Sequence, residues 1–179
     1  MTTLREVLGS VGVWGHLDSL PAAELRTYVG RVADLGYGAL WVPETVGREP
    51  FTLLGSIAEA AGPMWLGSSI VSVWGHDAMT ARMAAMTLHE LTGGRFVLGL
   101  GVSHPHLAQK LRGHEYARPL STMREFLEAY RRLPYRGPRL PAPLNLTCPG
   151  ADEIPRLDNP NDVFPFHFLV VISGNAQSD

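Results

Sequence analysis

The chain has 179 residues, and its 15 Lys and Arg against 17 Asp and Glu give a formal net charge of −2. A hydrophobic content of 45% with a charged content of 18% excludes a disordered chain. The near-neutral charge gives no electrostatic reason to expect a nucleic acid as partner.

No segment of the sequence has the composition of a membrane anchor or a signal peptide. A helix needs about 20 apolar residues to cross a bilayer, and no apolar run approaches this length. The start of the chain lacks the long apolar core of a secretory signal. We therefore expect a cytoplasmic protein that binds neither membrane nor nucleic acid.

The first part of the chain alternates short apolar runs with helical patterns, which is typical of βα units around a parallel sheet. The first strand is predicted at residues 11–14 and its helix at 21–35. The second strand is predicted at residues 39–42 and a short helix at 52–61. Each of these helices is followed directly by a glycine, which favours a helix end there.

Two further units follow with the same alternation. The third strand is predicted at residues 65–73, and its helix begins after the N-cap residue Asp77 and ends at Leu91. The fourth strand is predicted at residues 95–100 and the fourth helix at 120–133. Apolar residues surround most of the third helix, which favours burial on two sides. We therefore expect a homodimer through the helices after strands two and three.

The pattern changes after residue 133, where eight of the fourteen prolines occur. We assign residues 1–133 to the βα units and residues 134–179 to a divergent, Pro-rich tail without a continuing period. Within the tail, only residues 164–172 have the composition of a strand.

Three segments carry a family resemblance. They are GALWVPE at residues 38–44, LGSSIV at 66–71 with the helix start at 78–84, and LTGGRFVLGLG at 91–101. In this order and at these separations they resemble the luciferase-like monooxygenase superfamily, and more closely its branch that uses the deazaflavin coenzyme F420. The resemblance covers about residues 10–133.

The resemblance implies a (β/α)₈ barrel, and a complete barrel needs about 250 residues. The expected fold class is therefore α/β: a partial (β/α)₈ TIM barrel of about four parallel βα units, plus an irregular tail. This tail looks like a foreign or frameshifted ending and not like a compressed second half.

Active sites of such barrels lie at the carboxyl ends of the strands, so the candidate residues are those that end or follow each strand. Two of them are expected to be catalytic, namely Glu44 and His104. The remainder are expected to bind the cofactor: His16, Ser69, Ile70, Val71, Gly101, Val102 and Ser103.

The resemblance also implies a bulge with a non-prolyl cis peptide in strand three, which supports the back of the cofactor ring. The best register places this peptide at Ser69-Ile70. On the residues alone, an ordinary buried strand with two small hydroxyl side chains is the alternative.

Glu44 matches the position at which related enzymes place an acidic residue near substrate and ring. The histidine that often follows it in the family is Thr45 in this chain. On the residues alone, Glu44 is either an acid/base group or an acceptor for loop amides. His104 is either a proton donor or an exposed loop histidine.

The implied chemistry is hydride transfer between a small organic substrate and coenzyme F420, with FMN as the alternative cofactor and oxygen activation open to a flavin-using member. Two other hypotheses stay open. One is a non-catalytic remnant that acts only by pairing with another chain, because half of the barrel is missing. The other is a metal-dependent barrel hydrolase resting on His104 and His106, although no third ligand completes a set and we expect no metal.

Overall fold

The computed structural model describes Leu8, residues 11–138 and the strand Leu169–Val171. In chain order the elements are β1 (Gly12–Trp14), α1 (Ala22–Asp34), β2 (Ala39–Val42), α2 (Pro50–Ile57), β3 (Trp65–Ser68), β4 (Val71–Ser72), α3 (Ala78–Leu91), β5 (Phe96–Gly101), a π-helix (His106–Leu111), α4 (Pro119–Arg132) and β6 (Leu169–Val171).

The sheet is built from parallel neighbours in chain order. β1 pairs with β2, β2 with β3, and β3 with β5, all in parallel register. β4 continues the line of β3 and also pairs in parallel with β5. Four parallel βα units therefore follow one another, which confirms the predicted α/β fold class.

The core lies between this sheet and the helices that cover it. All residues of β3 and β5 are buried, as expected for parallel strands that are covered on both faces. Leu40, Leu66 and Leu98 are fully buried in the main apolar cluster. Helix α4 contributes the buried residues Met123, Phe126, Leu127 and Tyr130.

Two predicted elements differ from the structure by more than one residue. Helix α2 was expected at 52–61 but spans Pro50–Ile57, because Glu49 caps its start by accepting hydrogen bonds from the N–H groups of Phe51 (3.0 Å) and Thr52 (2.6 Å). The strand predicted at 65–73 is divided into two strands at Ser69 and Ile70, where the resemblance implied a bulge.

The tail contributes one described strand. β6 pairs antiparallel with the outer edge of β5, with Leu169 opposite Leu100 and Val171 opposite Leu98. These three residues fall within the strand predicted at 164–172, and the remainder of that segment lies outside the described residues. No helix in the described part of the chain is long and apolar enough to span a bilayer.

Candidate active site

A cavity of about 400 Å³ opens at the carboxyl ends of β2, β4 and β5. Its walls come from the loop after β2, the junction between β3 and β4, the loop after β4, and the segment from Ser103 to Arg112. Parallel strands bring their carboxyl ends to one edge of the sheet, and this edge is where barrels of this type place their chemistry.

The junction between β3 and β4 forms one wall of the cavity. The Ser69–Ile70 peptide is cis, as the resemblance implied. Backbone atoms of β2 and its exit hold both sides of this peptide, because Ser69 N–H donates to Val42 O (2.8 Å) and Glu44 N–H donates to Ile70 O (3.1 Å). The Ile70 side chain lines the cavity.

The end of β5 approaches this junction closely. A Cβ atom on Gly101 would lie 2.7 Å from Cγ1 of Ile70. Gly99 is tighter still, because a Cβ there would overlap the backbone carbonyl of Ser68. Gly99 is also fixed to Ser68 by two 2.9 Å hydrogen bonds, one from its N–H to the Ser68 hydroxyl oxygen and one from that hydroxyl to its carbonyl. The glycines therefore let Ile70 lie across the strand end.

The carboxylate of Glu44 is the centre of the polar wall, and its side chain is only 5% exposed. Oε2 accepts a hydrogen bond from Ser72 N–H at 2.7 Å. Oε1 accepts a hydrogen bond from the guanidinium of Arg112, which forms an ion pair with it. Glu44 thus accepts an amide, as one reading of the sequence had it, and it also holds an arginine.

An imidazole completes this cluster. His76 Nε2 lies 3.4 Å from Glu44 Oε2 and 4.0 Å from Glu49 Oε1, and the His76 ring packs edge-on against Phe51. Burial raises the pKa of Glu49, but hydrogen bonds from Thr52 and Phe51 outweigh that effect and hold the pKa below its ordinary value. His76 therefore lies beside two carboxyl groups, of which Glu49 is ionised at neutral pH.

Thr45 occupies the position where the resemblance led us to expect a histidine. Its hydroxyl donates to Asp18 Oδ2, and Asp18 Oδ1 accepts from Arg48 N–H at 3.1 Å. The Arg48 guanidinium donates in turn to Leu17 O at 2.7 Å. Thr45 lines the cavity, but its side chain serves to tie the loop after β2 to the loop after β1.

The loop after β5 is fixed by two aromatic side chains. Trp74 Nε1–H donates to Val102 O at 2.7 Å, and the Tyr116 hydroxyl donates to Ser103 O at 3.1 Å. Burial raises the pKa of Tyr116, so the phenol keeps this proton at neutral pH. Ser103 has a left-handed backbone with φ of 57° and lines the cavity.

Three of the predicted site residues line the cavity, namely Glu44, Ile70 and Ser103. His104 is exposed and lies outside the lining, and its carbonyl accepts from Ala108 N–H. The other predicted cofactor-binding residues are not part of the cavity lining, and Val71 and Gly101 are buried within strands. Val102 O accepts a hydrogen bond from the Trp74 indole, and Ser69 O accepts one from the Trp14 indole. His16 is exposed, with its ring against Trp14. Their contacts with a cofactor stay a prediction.

Two residues of the cluster were not among the predicted candidates. His76 was identifiable, because it follows strand three and the strand-end rule applies to it as to Glu44. Arg112 gave no signal, because it reaches the cavity through a π-helix, which the sequence does not indicate. Among the residues that the structure describes, no group of three or more His, Cys, Asp or Glu side chains is placed to hold a metal ion.

Comparison with known proteins confirms the family resemblance that the sequence showed. Residues 6–155 match the luciferase-like monooxygenase family. A Mycobacterium tuberculosis protein named as a coenzyme F420-dependent oxidoreductase is 31% identical over 123 residues, which are 69% of this chain and 35% of the relative. The chain thus spans about a third of that relative's length.

Two solved structures share the fold. The FMN-bound oxygenating constituent of 3,6-diketocamphane monooxygenase from Pseudomonas putida superposes with a TM-score of 0.60 at 14% identity, over 73% of this chain and 41% of that one. The coenzyme F420-dependent tetrahydromethanopterin reductase of Methanopyrus kandleri gives 0.59 at 17% identity, over 72% and 42%. With the match of its sequence over residues 6–155, this chain belongs to the luciferase-like monooxygenase family.

Proposed function

We propose that the cavity receives the ring of a flavin-type redox cofactor and that the protein is an oxidoreductase acting on a small organic substrate. Coenzyme F420 is the cofactor we favour, and FMN is the alternative. The observation that carries the proposal is that Glu44, Ile70 and Ser103, from three neighbouring strand ends, line one cavity. The named activity of the M. tuberculosis relative favours F420, whereas the P. putida structure contains FMN.

The lining fits a flat heteroaromatic ring. A volume of about 400 Å³ lies within the range of small-molecule sites. Ile70, Leu107 and Leu111 offer apolar surface, and Ser103 and Arg112 offer polar groups. When bound, the ring would supply the hydride chemistry, so the protein has only to place it, exclude water and handle protons.

The residues around the cavity suit those tasks. Ile70 would form the apolar support, since Gly99 and Gly101 leave it in place across β5. Trp74 and Tyr116 hold the backbone carbonyls of Val102 and Ser103, so the Ser103 wall is preorganised. The carboxylate of Glu44 would organise the polar wall through Ser72, His76 and Arg112.

A binding titration tests this proposal. We expect the purified chain to bind oxidised F420, FMN or both saturably, followed by cofactor fluorescence and by a rise in melting temperature. A ligand at 100 times its dissociation constant stabilises a protein by about 2.7 kcal/mol. Absence of both a spectral change and a thermal shift with either cofactor would contradict the proposal.

A variant pair locates the binding. Ile70→Asp places a charge on the apolar wall and should weaken binding at least about tenfold. Leu120→Ala is the matched control, because Leu120 is exposed on α4 and does not line the cavity. Equal affinities in the two variants would place the cofactor elsewhere.

A further inference from the structure

We infer that His76 is the residue that exchanges a proton with the substrate at this site, and that Glu44 positions its imidazole. The inference rests on the proposed function and names the proton-transfer group within it. Among the described residues that line the cavity, His76 alone carries an imidazole. Its side chain is 11% exposed, so it faces the cavity while staying largely shielded from bulk water.

Glu44 is poorly suited to deliver the proton itself. Both of its oxygens already accept hydrogen bonds, Oε1 from Arg112 and Oε2 from Ser72 N–H. A proton placed on either oxygen would compete with these donors for that oxygen and would remove the charge that pairs with Arg112. The carboxylate is therefore an acceptor that orients its neighbours.

The other candidates are occupied or distant. The Thr45 hydroxyl is committed to Asp18, so the position that follows the acidic residue carries no free proton donor. His104 is exposed and does not line the cavity. His76 reaches the same carboxylate from the next strand end, and so places an imidazole beside Glu44 from a different loop.

Charged groups of both signs lie around His76. Oε2 of Glu44 and Oε1 of Glu49 lie 3.4 Å and 4.0 Å from His76 Nε2. The positive groups on the same cavity are Arg48 and Arg112, and Arg112 is paired with Glu44. The edge-on ring of Phe51 adds no charge. Because Nε2 faces the carboxylates, Nδ1 is the nitrogen left for the substrate.

For a carbonyl substrate, a bound reduced cofactor would supply the hydride to the substrate carbon and release its ring N–H proton to water. The substrate oxygen gains a proton from His76, and the neutral imidazole regains one from water. In the reverse direction the imidazole accepts the proton from the alcohol.

The first measurement needs no turnover. In a titration with oxidised F420 or FMN, we expect the ring NMR signal of His76, identified by its absence in His76→Asn, to shift on binding. The ring signal of His106, which is exposed and outside the cavity lining, should stay in place. A His76 signal that stays fixed while cofactor binds overturns the inference.

The second measurement follows oxidation of reduced F420 by menadione, a small quinone that accepts a hydride and a proton. We expect His76→Asn to lower kcat about 100-fold with a smaller effect on KM, which is the usual size for loss of a general acid. The wild-type rate should vary between pH 5 and 8, where histidines titrate, and the variant should lose that variation. Free imidazole should restore part of the rate in His76→Ala. His106→Asn is the control.

Glu44→Gln separates positioning from proton transfer. We expect it to lower kcat while keeping the pH variation, and Glu44→Gln/His76→Asn to be no slower than His76→Asn alone, because the two residues act as a unit. A wild-type chain that binds neither cofactor, or binds one and transfers no hydride, contradicts the proposed function. A chain that does both, with His76→Asn within twofold of wild type, contradicts only this inference.

Discussion

Close approach of two strand ends makes the glycines of β5 sensitive positions. Gly99→Ala would drive a methyl group into the Ser68 carbonyl, which is backbone and cannot rotate away. Overpacking of this kind costs about 1–3 kcal/mol or more, and we expect at least that loss in the free energy of unfolding measured by urea denaturation. Cofactor binding should weaken with it, because Ile70 would move.

Gly30→Ala is the matched control. Gly30 lies within α1, and the nearest atom to its added Cβ would be Ala60 O at 3.9 Å. Alanine is favoured over glycine in a helix by about 1 kcal/mol, so this variant should be as stable as wild type or more so. Equal losses in both variants would show that the close contact at Gly99 is not the cause.

Individual site residues were predictable to the extent that they end or immediately follow strands. Glu44, Ile70 and Ser103 were found by that rule, and the Ser69–Ile70 cis peptide by family resemblance. The partners of Glu44 were harder to find, because an ion pair between residues 44 and 112 depends on the path of the whole intervening chain. The role of Thr45 likewise appears only with the position of Asp18.

At the scale of elements, helix caps set where the helices begin. The Asp77 carboxylate accepts from Thr80 N–H at 2.9 Å and from the Thr80 hydroxyl at 2.7 Å at the start of α3. Asp77→Ala should therefore cost about 1 kcal/mol at pH 7, measured by urea denaturation. Glu90→Ala, an exposed position on the same helix, should change the stability by less than about 0.5 kcal/mol.

The stability that Asp77 supplies should depend on pH. The hydrogen bonds from the Thr80 side chain and N–H hold the pKa of Asp77 below its ordinary value. A lowered pKa in the folded state means that the contribution is complete above the ordinary aspartate pKa and disappears as pH falls through the lowered value. The difference in the free energy of unfolding between wild type and Asp77→Ala should therefore shrink as pH falls below 3.8, the ordinary pKa of an aspartate; a difference that grows would contradict the cap.

The elements show which boundaries the sequence can predict. The second strand and the third helix agree with their predicted residues, because alternation and the Asp77 cap are local signals. The start of α2 at Pro50 was missed, because Glu49 is a less usual cap than Asp or Ser. Only the family resemblance indicated the division of the third strand, because it depends on contacts with β2 and β5 that no local pattern records.

For the whole molecule, we expect a homodimer through α2 and α3. Met79, Met83 and Leu91 on α3 are 55%, 47% and 55% exposed, which is unusual for large apolar side chains on one helix. Met83→Glu should convert a dimeric mass in light scattering to a monomeric one. Arg124→Glu, an exposed change on α4, should leave the mass unchanged. A wild-type chain of monomeric mass would contradict this expectation.

The order and direction of the four βα units were predictable, because parallel units repeat one pattern of period and turn. The antiparallel pairing of β6 was not, since strand composition gives no direction or neighbour. The family match also extends further along the chain than the βα pattern. It reaches residue 155, whereas the pattern in the sequence stops near residue 133.

The position of β6 has a consequence for assembly. In a closed barrel, the outer edge of β5 would pair with the fifth parallel strand. In this chain β6 pairs with that edge instead, opposite Leu98 and Leu100. One backbone edge can form hydrogen bonds with only one neighbouring strand, so β6 and any second half-barrel would compete for the same backbone amides and carbonyls of β5. Closure of the ring would therefore require β6 to leave this edge of β5 first.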